Sequence, residues 1–326
     1  MWNRPGIAYF AVLIGVLGHA SSEFVAVFSG VSGPEVSSWR FLLGGTSLLL
    51  VVTAIMGPGV IIRILRAEWK LLVPISLAGI SLAYLLFHWA LDYATVIQVA
   101  TLVTTIPIFV GISNLIINGQ PVSAVKWLTG SAAVFAVALL IGDGYLSKLV
   151  DTESSPIGVF MALGCAALVS AFSVLVRPVI ARHGAAPVTA LAMFIGGVGL
   201  WAVVGVAFGI WVNPLDLPGL PAREAWALLV IALWNTTITQ YLWIGGLAHA
   251  PDITRASYLF FLKPAIAAVL AVAFLAQPLT LIQVIAIIAI CGSVLIEFMY
   301  QSRQKRTTAA STGRAPKLRG HNEHRK

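Results

Sequence analysis

Ten long apolar segments joined by short polar links leave this chain few folds to choose from. They run over 6–28, 35–56, 71–91, 94–118, 122–142, 157–176, 187–211, 225–247, 252–276 and 279–300. Each is close to or above the ~20 residues that a helix needs to cross a hydrocarbon layer. Lipid offers the backbone no hydrogen bonds, so an open chain inside it must be helical. The apolar share of 59%, the charged share of 10% and the mean hydropathy of +0.94 agree with this. A soluble chain of this length needs far more surface charge. The expectation is an all-α membrane protein whose first partner is the lipid bilayer. The first apolar run follows only Met1-Trp2-Asn3-Arg4-Pro5 and lacks a polar, small-residue cleavage region, so it is expected to stay as a helix. Cys165 and Cys291 both lie inside apolar runs, which argues against a disulfide framework or a zinc site.

Lys and Arg set the expected orientation. With the N-terminus inside, the inner regions hold Arg4, Arg63, Arg66, Lys70, Lys126, Arg177, Arg182 and eight residues of the tail, against Lys148 and Arg223 outside. From this bias both termini are expected in the cytoplasm, and the expected location is a cell (inner) membrane. The net charge of +8 lies mostly in loops and tail, so it is a topology signal and no nucleic-acid partner is expected. Residues 301–326 are basic and polar and are expected to form a disordered cytosolic tail.

The chain also repeats itself. Pro107 precedes Gln120-Pro121 as Pro264 precedes Gln277-Pro278, each pair 157 residues apart. Pro34 precedes Phe41-Leu42-Leu43-Gly44 as Pro187 precedes Phe194-Ile195-Gly196-Gly197, an offset of 153. Five helices therefore form a unit that occurs twice: 1–144, then an outer linker 145–156, then 157–300. Five is odd, so the second unit must enter the membrane from the opposite side. The expected fold is ten transmembrane helices as two inverted five-helix repeats, with a site near the midplane between them.

Certain stretches are similar to the EamA type of the drug/metabolite transporter superfamily. They are Arg40-Phe41 in the second segment, Ala90-Leu91-Asp92-Tyr93-Ala94 followed by Thr104-Thr105-Ile106-Pro107, and Gly246-Leu247-Ala248-His249-Ala250 followed by Pro264-Ala265-Ile266-Ala267-Ala268. The resemblance covers about residues 6–300. It implies ten helices and movement of small organic solutes, often export of amino acids or other metabolites. The chain departs from the pattern at Gln120 and Gln277, where the family often has glutamate, and at His19–Phe24, where it often has Trp-Gly.

Lys263-Pro264 is the most unusual pair in the chain. An ammonium at the centre of a bilayer costs about 2.5–3.5 kcal/mol on insertion scales, so it calls for a task or a partner. Phe260 lies one turn before Lys263. The functional reading is a counter-charge for a substrate carboxylate; the structural one is a pair with an acid on another helix. Proline leaves the carbonyls of Val103 and Phe260 without their usual helical donors, and these can accept from a substrate amine. Tyr84 and His88 in the third segment, and Gln98 and Thr101 in the fourth, lie on polar stripes at helical spacing. Asn235, Thr239, Gln240 and Trp243 make the eighth segment the most polar, which a wet cavity explains. Glu23 and Arg40 lie at similar depth and are expected to form an ion pair; the alternative is that Glu23, with His19 one turn away, binds a proton or a substrate amine. Arg255 is expected to snorkel to the cytosolic surface, with an inner gate as the second reading.

These residues predict a secondary transporter, most simply an exporter, for a small amino acid, carboxylate or related metabolite, with protons as a candidate coupling ion. A channel or lipid scramblase is the alternative, although no carbonyl filter or charged ring is visible. No hydrolase or zincin motif occurs, so no enzyme is expected. No cofactor or metal is expected either.

Overall fold

The computed structural model describes residues 4–26, 29–31, 34–90, 93–94, 99, 102–141, 156–275 and 279–311. Of Glu23, Phe24, Ala26, Ile141, Ala271, Phe274, Leu275 and residues 301–311 the structure describes the backbone alone. The described chain is helical, as its apolar runs require. The helices are α1 Pro5–Ala26, α2 Pro34–Met56, α3 Pro58–Ala90, α4 Ile106–Asn118 and α5 Ala124–Ile141 in the first half. The second half has α6 Pro156–His183, α7 Ala185–Phe208, α8 Ala222–His249 and α10 Leu281–Ser311. Between α8 and α10 lies α9, built of Ile253–Ser257, a 3-10 turn Tyr258–Phe261 and Leu262–Leu275. Among the described residues eight helices are long and apolar enough to cross a membrane, and α4 and α5 are shorter apolar helices.

Several ends differ from the apolar runs. α3 starts at Pro58, before the expected 71, because Arg63, Arg66, Glu68 and Lys70 continue the helix beyond its apolar part. α6 runs on past 176 through Arg177–His183, and α10 continues past 300 to Ser311. Hydropathy marks where lipid can sit, and helices need not stop there. Large apolar side chains such as Ile55, Leu128, Phe160, Val206 and Ile288 are exposed, as expected of a surface whose solvent is lipid.

Packing follows the repeat. α2 packs along α7, α5 along α10, and α4 meets α9. The contact of α1 with α8 has its counterpart in that of α6 with α3, and α2 with α8 in α7 with α3. Each pairing maps onto another, or onto itself, when helix numbers are shifted by five. Local detail obeys the same shift. α3 contains a π-helical turn at Leu77–Leu82 and α8 another at Leu233–Ile238. A Cβ on Gly45 would lie 2.7 Å from the Met193 carbonyl oxygen, and one on Gly197 would lie 2.5 Å from that of Phe41. Only glycine permits so close an approach of two helix backbones.

The proline positions break their helices as the sequence predicts. Thr104 and Thr105 form a turn before Ile106-Pro107. The 3-10 turn Tyr258–Phe261 stands before Leu262-Lys263-Pro264. A tighter turn ahead of proline accommodates the missing N–H.

Candidate functional site

Both helix breaks point toward one cavity of about 60 Å³, room for a few water molecules. Helices from both halves wall it. His19 comes from α1, Arg40 from α2, and Tyr84 and Phe87 from α3. Val103 and Ile106 come from the first break, Cys165 and Val169 from α6, Gln240 and Trp243 from α8, and Phe260 from the second break. None of these lining residues is an aspartate or glutamate.

One corner is aromatic. The His19 ring stands edge-on to Trp243 at 5.9 Å and to Phe260 at 5.8 Å, and Trp243 and Phe260 are 5.2 Å apart. Such tilted arrangements are the favoured ones for ring pairs. Across the cavity Gln240 Nε2 donates to the Tyr84 hydroxyl at 2.6 Å, and Phe41 packs on the Tyr84 ring at 4.3 Å. Arg40 is anchored to α8: Nε donates to Thr236 Oγ1 at 3.2 Å and an Nη to the Asn235 carbonyl at 3.4 Å. That fixes a guanidinium in the wall of a largely apolar space. Lys263 is within electrostatic reach of His19 and Cys165, which both line the cavity. The cavity thus has two cations at its wall or beside it.

Of the residues singled out in the sequence, Tyr84, Gln240, Trp243, Phe260, Arg40 and His19 meet at the cavity. His88 sits one residue beyond Phe87, buried, with its Nδ1 against Ser37 Oγ on α2 and the Tyr84 carbonyl. Asn235 and Thr239 turn elsewhere. Asn235 Nδ2 donates to the Gly18 carbonyl at 2.7 Å and to Ser21 Oγ at 2.9 Å, tying α8 to α1. Thr239 Oγ1 donates to the Trp234 carbonyl of its own helix at 2.8 Å. The π-helical turn at Leu233–Ile238 shifts the register of α8, so faces counted at uninterrupted α-helical spacing do not carry through it. Gln98 and Thr101 lie outside the described residues, as do Asp92 and the side chain of Glu23. The expected partner of Arg40 is among them. Sequence reasoning did not select Cys165, Phe87, Val169 or the side chains of Val103 and Ile106. Ile106 carried a signal, since it occupies the position of Lys263 in the other repeat. The apolar residues of α6 carried none.

Arg255 departs from the expectation of snorkelling. It is 8% exposed, with an Nη donating to the Phe298 carbonyl at 2.6 Å. Among the described residues no group of three His, Cys, Asp or Glu side chains could hold a metal ion.

A helical bundle with lipid-compatible surfaces and a cavity shared by matching helices of its two halves defines a polytopic membrane protein built around an internal site. The sequence profile of the EamA-like transporter family matches residues 6–142 and, separately, residues 156–299. The chain belongs to that family and is a membrane transporter. It is 24% identical over 312 residues to the "uncharacterized transporter YvbV" of Bacillus subtilis (strain 168), across 94% of each chain. Its fold is similar to that of a solved crystal structure with a TM-score of 0.75 and 17% identity, covering 92% of this chain and 99% of the other.

Proposed function

We propose that the protein is a secondary carrier that moves a small carboxylate or zwitterion by alternating access, most simply outward. In this reading ten helices cross the membrane as two inverted repeats with both termini in the cytoplasm, and the cavity is the substrate site. The observation that carries it is the cavity's position. It lies where the broken helices α4 and α9 meet, and elements from both halves contribute to its wall. The shared five-helix shift of packing pairs and π-helical turns supports the inverted repeat, and carriers of this plan bind at such a junction.

Chemistry narrows the cargo. Arg40 in the wall and Lys263 beside it favour an anionic group. Trp243, Phe260 and Phe87 offer rings to its apolar part. A volume of about 60 Å³ admits a few waters rather than a metabolite, so loading requires the helices to part. That is a movement of packed elements, which suits a carrier better than a standing pore. No nucleotide-binding motif occurs in the chain, so the energy comes from a gradient or from exchange.

Thermal unfolding of the purified protein across a metabolite panel tests the cargo. A ligand that prefers the native state raises the apparent midpoint; at a concentration 100 times Kd the gain is about 2.7 kcal/mol. Carboxylates and amino acids are expected to stabilise the parent protein and to lose about tenfold or more in affinity in Lys263→Ala. Equal stabilisation of both proteins by every hit would remove Lys263 from the site.

A further inference from the structure

A second buried charged cluster lies away from the cavity, where α5, α9 and α10 converge with the start of α1. Glu297 of α10 is 1% exposed, and neither carboxylate oxygen has a hydrogen-bond partner. Its contact is an ion pair of 3.6 Å with Arg255 Nε on α9. Arg255 lies over the Phe298 ring at 4.3 Å and the Tyr9 ring at 5.7 Å. Beside this pair, Lys126 Nζ of α5 meets Oδ2 of Asp252, which caps the start of α9, at 2.6 Å. The Tyr258 hydroxyl of α9 donates to the Lys126 carbonyl. The titratable and charged groups facing Glu297 are therefore Tyr9 from α1, Lys126 from α5, Asp252 at the cap of α9, and Arg255 and Tyr258 within α9.

Two features make this more than a structural clasp. A buried carboxylate with no hydrogen bonds is held at a cost, since burial of charge is tolerated when the group is both paired and hydrogen-bonded. The cluster is also one-sided. At the 157-residue offset of the repeat, Arg255, Glu297, Lys126 and Asp252 correspond to Gln98, Leu140, Gln283 and Thr95, none of them charged. The fold does not need charges there, so this end has acquired something its counterpart lacks. The first piece of α9, Ile253–Ser257, carries Arg255 and leads straight into the 3-10 turn that brings Phe260 to the cavity.

We propose that Glu297 is a proton-binding site that couples proton uptake to opening of this end of the cavity. One proton adds to a carboxylate oxygen and leaves a neutral carboxylic acid. The attraction to Arg255 is lost, the hold of α10 on the start of α9 falls to the bond from Arg255 to the Phe298 carbonyl and the contact with its ring, and the loosened segment lets Phe260 move. Release of the proton re-forms the pair and closes the end. Proton binding and cavity access are then one linked equilibrium. The proposal rests on the carrier reading above.

Cys165 reports on it, because it lines the cavity and the chain has only one other cysteine. The experiment measures N-ethylmaleimide modification of Cys165 in full-length Cys291→Ser protein in liposomes, between about pH 5.5 and about pH 8.5. Each rate is divided by that of the same protein unfolded in detergent at the same pH, which cancels the thiol's own ionisation. The normalised rate should rise about tenfold toward acid in the parent. Glu297→Gln should react fast and without pH dependence, Arg255→Gln likewise, and Glu297→Asp should keep a pH profile. Retention of the parent profile in Glu297→Gln overturns the proposal. If Glu297→Gln does not fold, a parent rate that ignores pH overturns it without any variant. A Cys165 that reacts readily at every pH in parent and variants sinks the proton site and leaves the carrier reading standing. A Cys165 that never reacts in the folded protein contradicts both.

Discussion

Asn235, a candidate site residue by its polarity, ties α8 to α1 through its amide nitrogen. Its side chain is fully buried, and its amide donates to the Gly18 carbonyl and Ser21 Oγ on α1. Inside a bundle such bonds are worth about 0.6 kcal/mol each on average, and up to about 1.7. Asn235→Ala should therefore lower the unfolding midpoint while leaving ligand affinity within about twofold, if the residue only joins helices. Titrating a stabilising carboxylate against both proteins checks this, and a loss of affinity without a loss of stability would move Asn235 into the site. At this scale the sequence was informative where polarity and depth coincided. Lys263, Arg40, Tyr84, Gln240 and the rings of Trp243 and Phe260 stand out because polar or aromatic groups in a span need a reason. Cys165 and Val169 do not stand out, because an apolar residue on α6 looks the same facing a cavity or a neighbour. Asn235 and Thr239 stand out for their polarity in the eighth segment, but the π-helical turn that sets where they face is not written in any residue type.

The elements are held together by close backbone approach as much as by side chains. α2 and α7 cross where Gly45 faces Met193 and Gly197 faces Phe41, with carbonyl oxygens 2.7 and 2.5 Å from the positions a Cβ would take. Gly197→Val forces those backbones apart. We expect a loss of about 1–3 kcal/mol, the usual cost of overpacking, read as a lower thermal midpoint in detergent. The glycines Gly44 and Gly197 were visible in the sequence as corresponding positions of the repeated motif, and the structure shows that glycines of these two stretches meet. Helix ends were less so. The charged run at the start of α3 and the segment Arg177–His183 at the end of α6 are helical although they are not apolar. Glu68 of that run meets Arg182 at 2.9 Å and His183 at 2.9 Å, so charges that end a hydropathic segment can still fasten helix extensions to one another. Arg177 adds a further tie, donating to the carbonyls of Ala248 and Ala250 at the end of α8 at 2.9 and 2.6 Å.

Taken whole, the molecule has two halves whose helix pairings correspond when helix numbers are shifted by five, and in the proposed reading these are two copies of one five-helix unit. The family profile matches each copy separately, and the packing pairs map onto one another across the repeat. Lys263 against Ile106, and the Arg255–Glu297 cluster against Gln98 and Leu140, break that correspondence. In the proposed carrier, a symmetric frame would make two access states of similar energy available, and the asymmetric charges would choose between them and choose the cargo. If the frame is a carrier, charge-changing variants at Lys263 alter selectivity, while variants at Glu297 alter the pH dependence of access. The most direct test is flux itself. The purified protein in liposomes, given a carboxylate or amino acid that stabilises it, should move the labelled compound with a saturating rate. That rate should increase, about twofold or more, when unlabelled compound is loaded on the other side, because the loaded carrier returns faster than the empty one. A conductance that rises linearly with driving force, with no effect of the compound on the far side, would contradict the account.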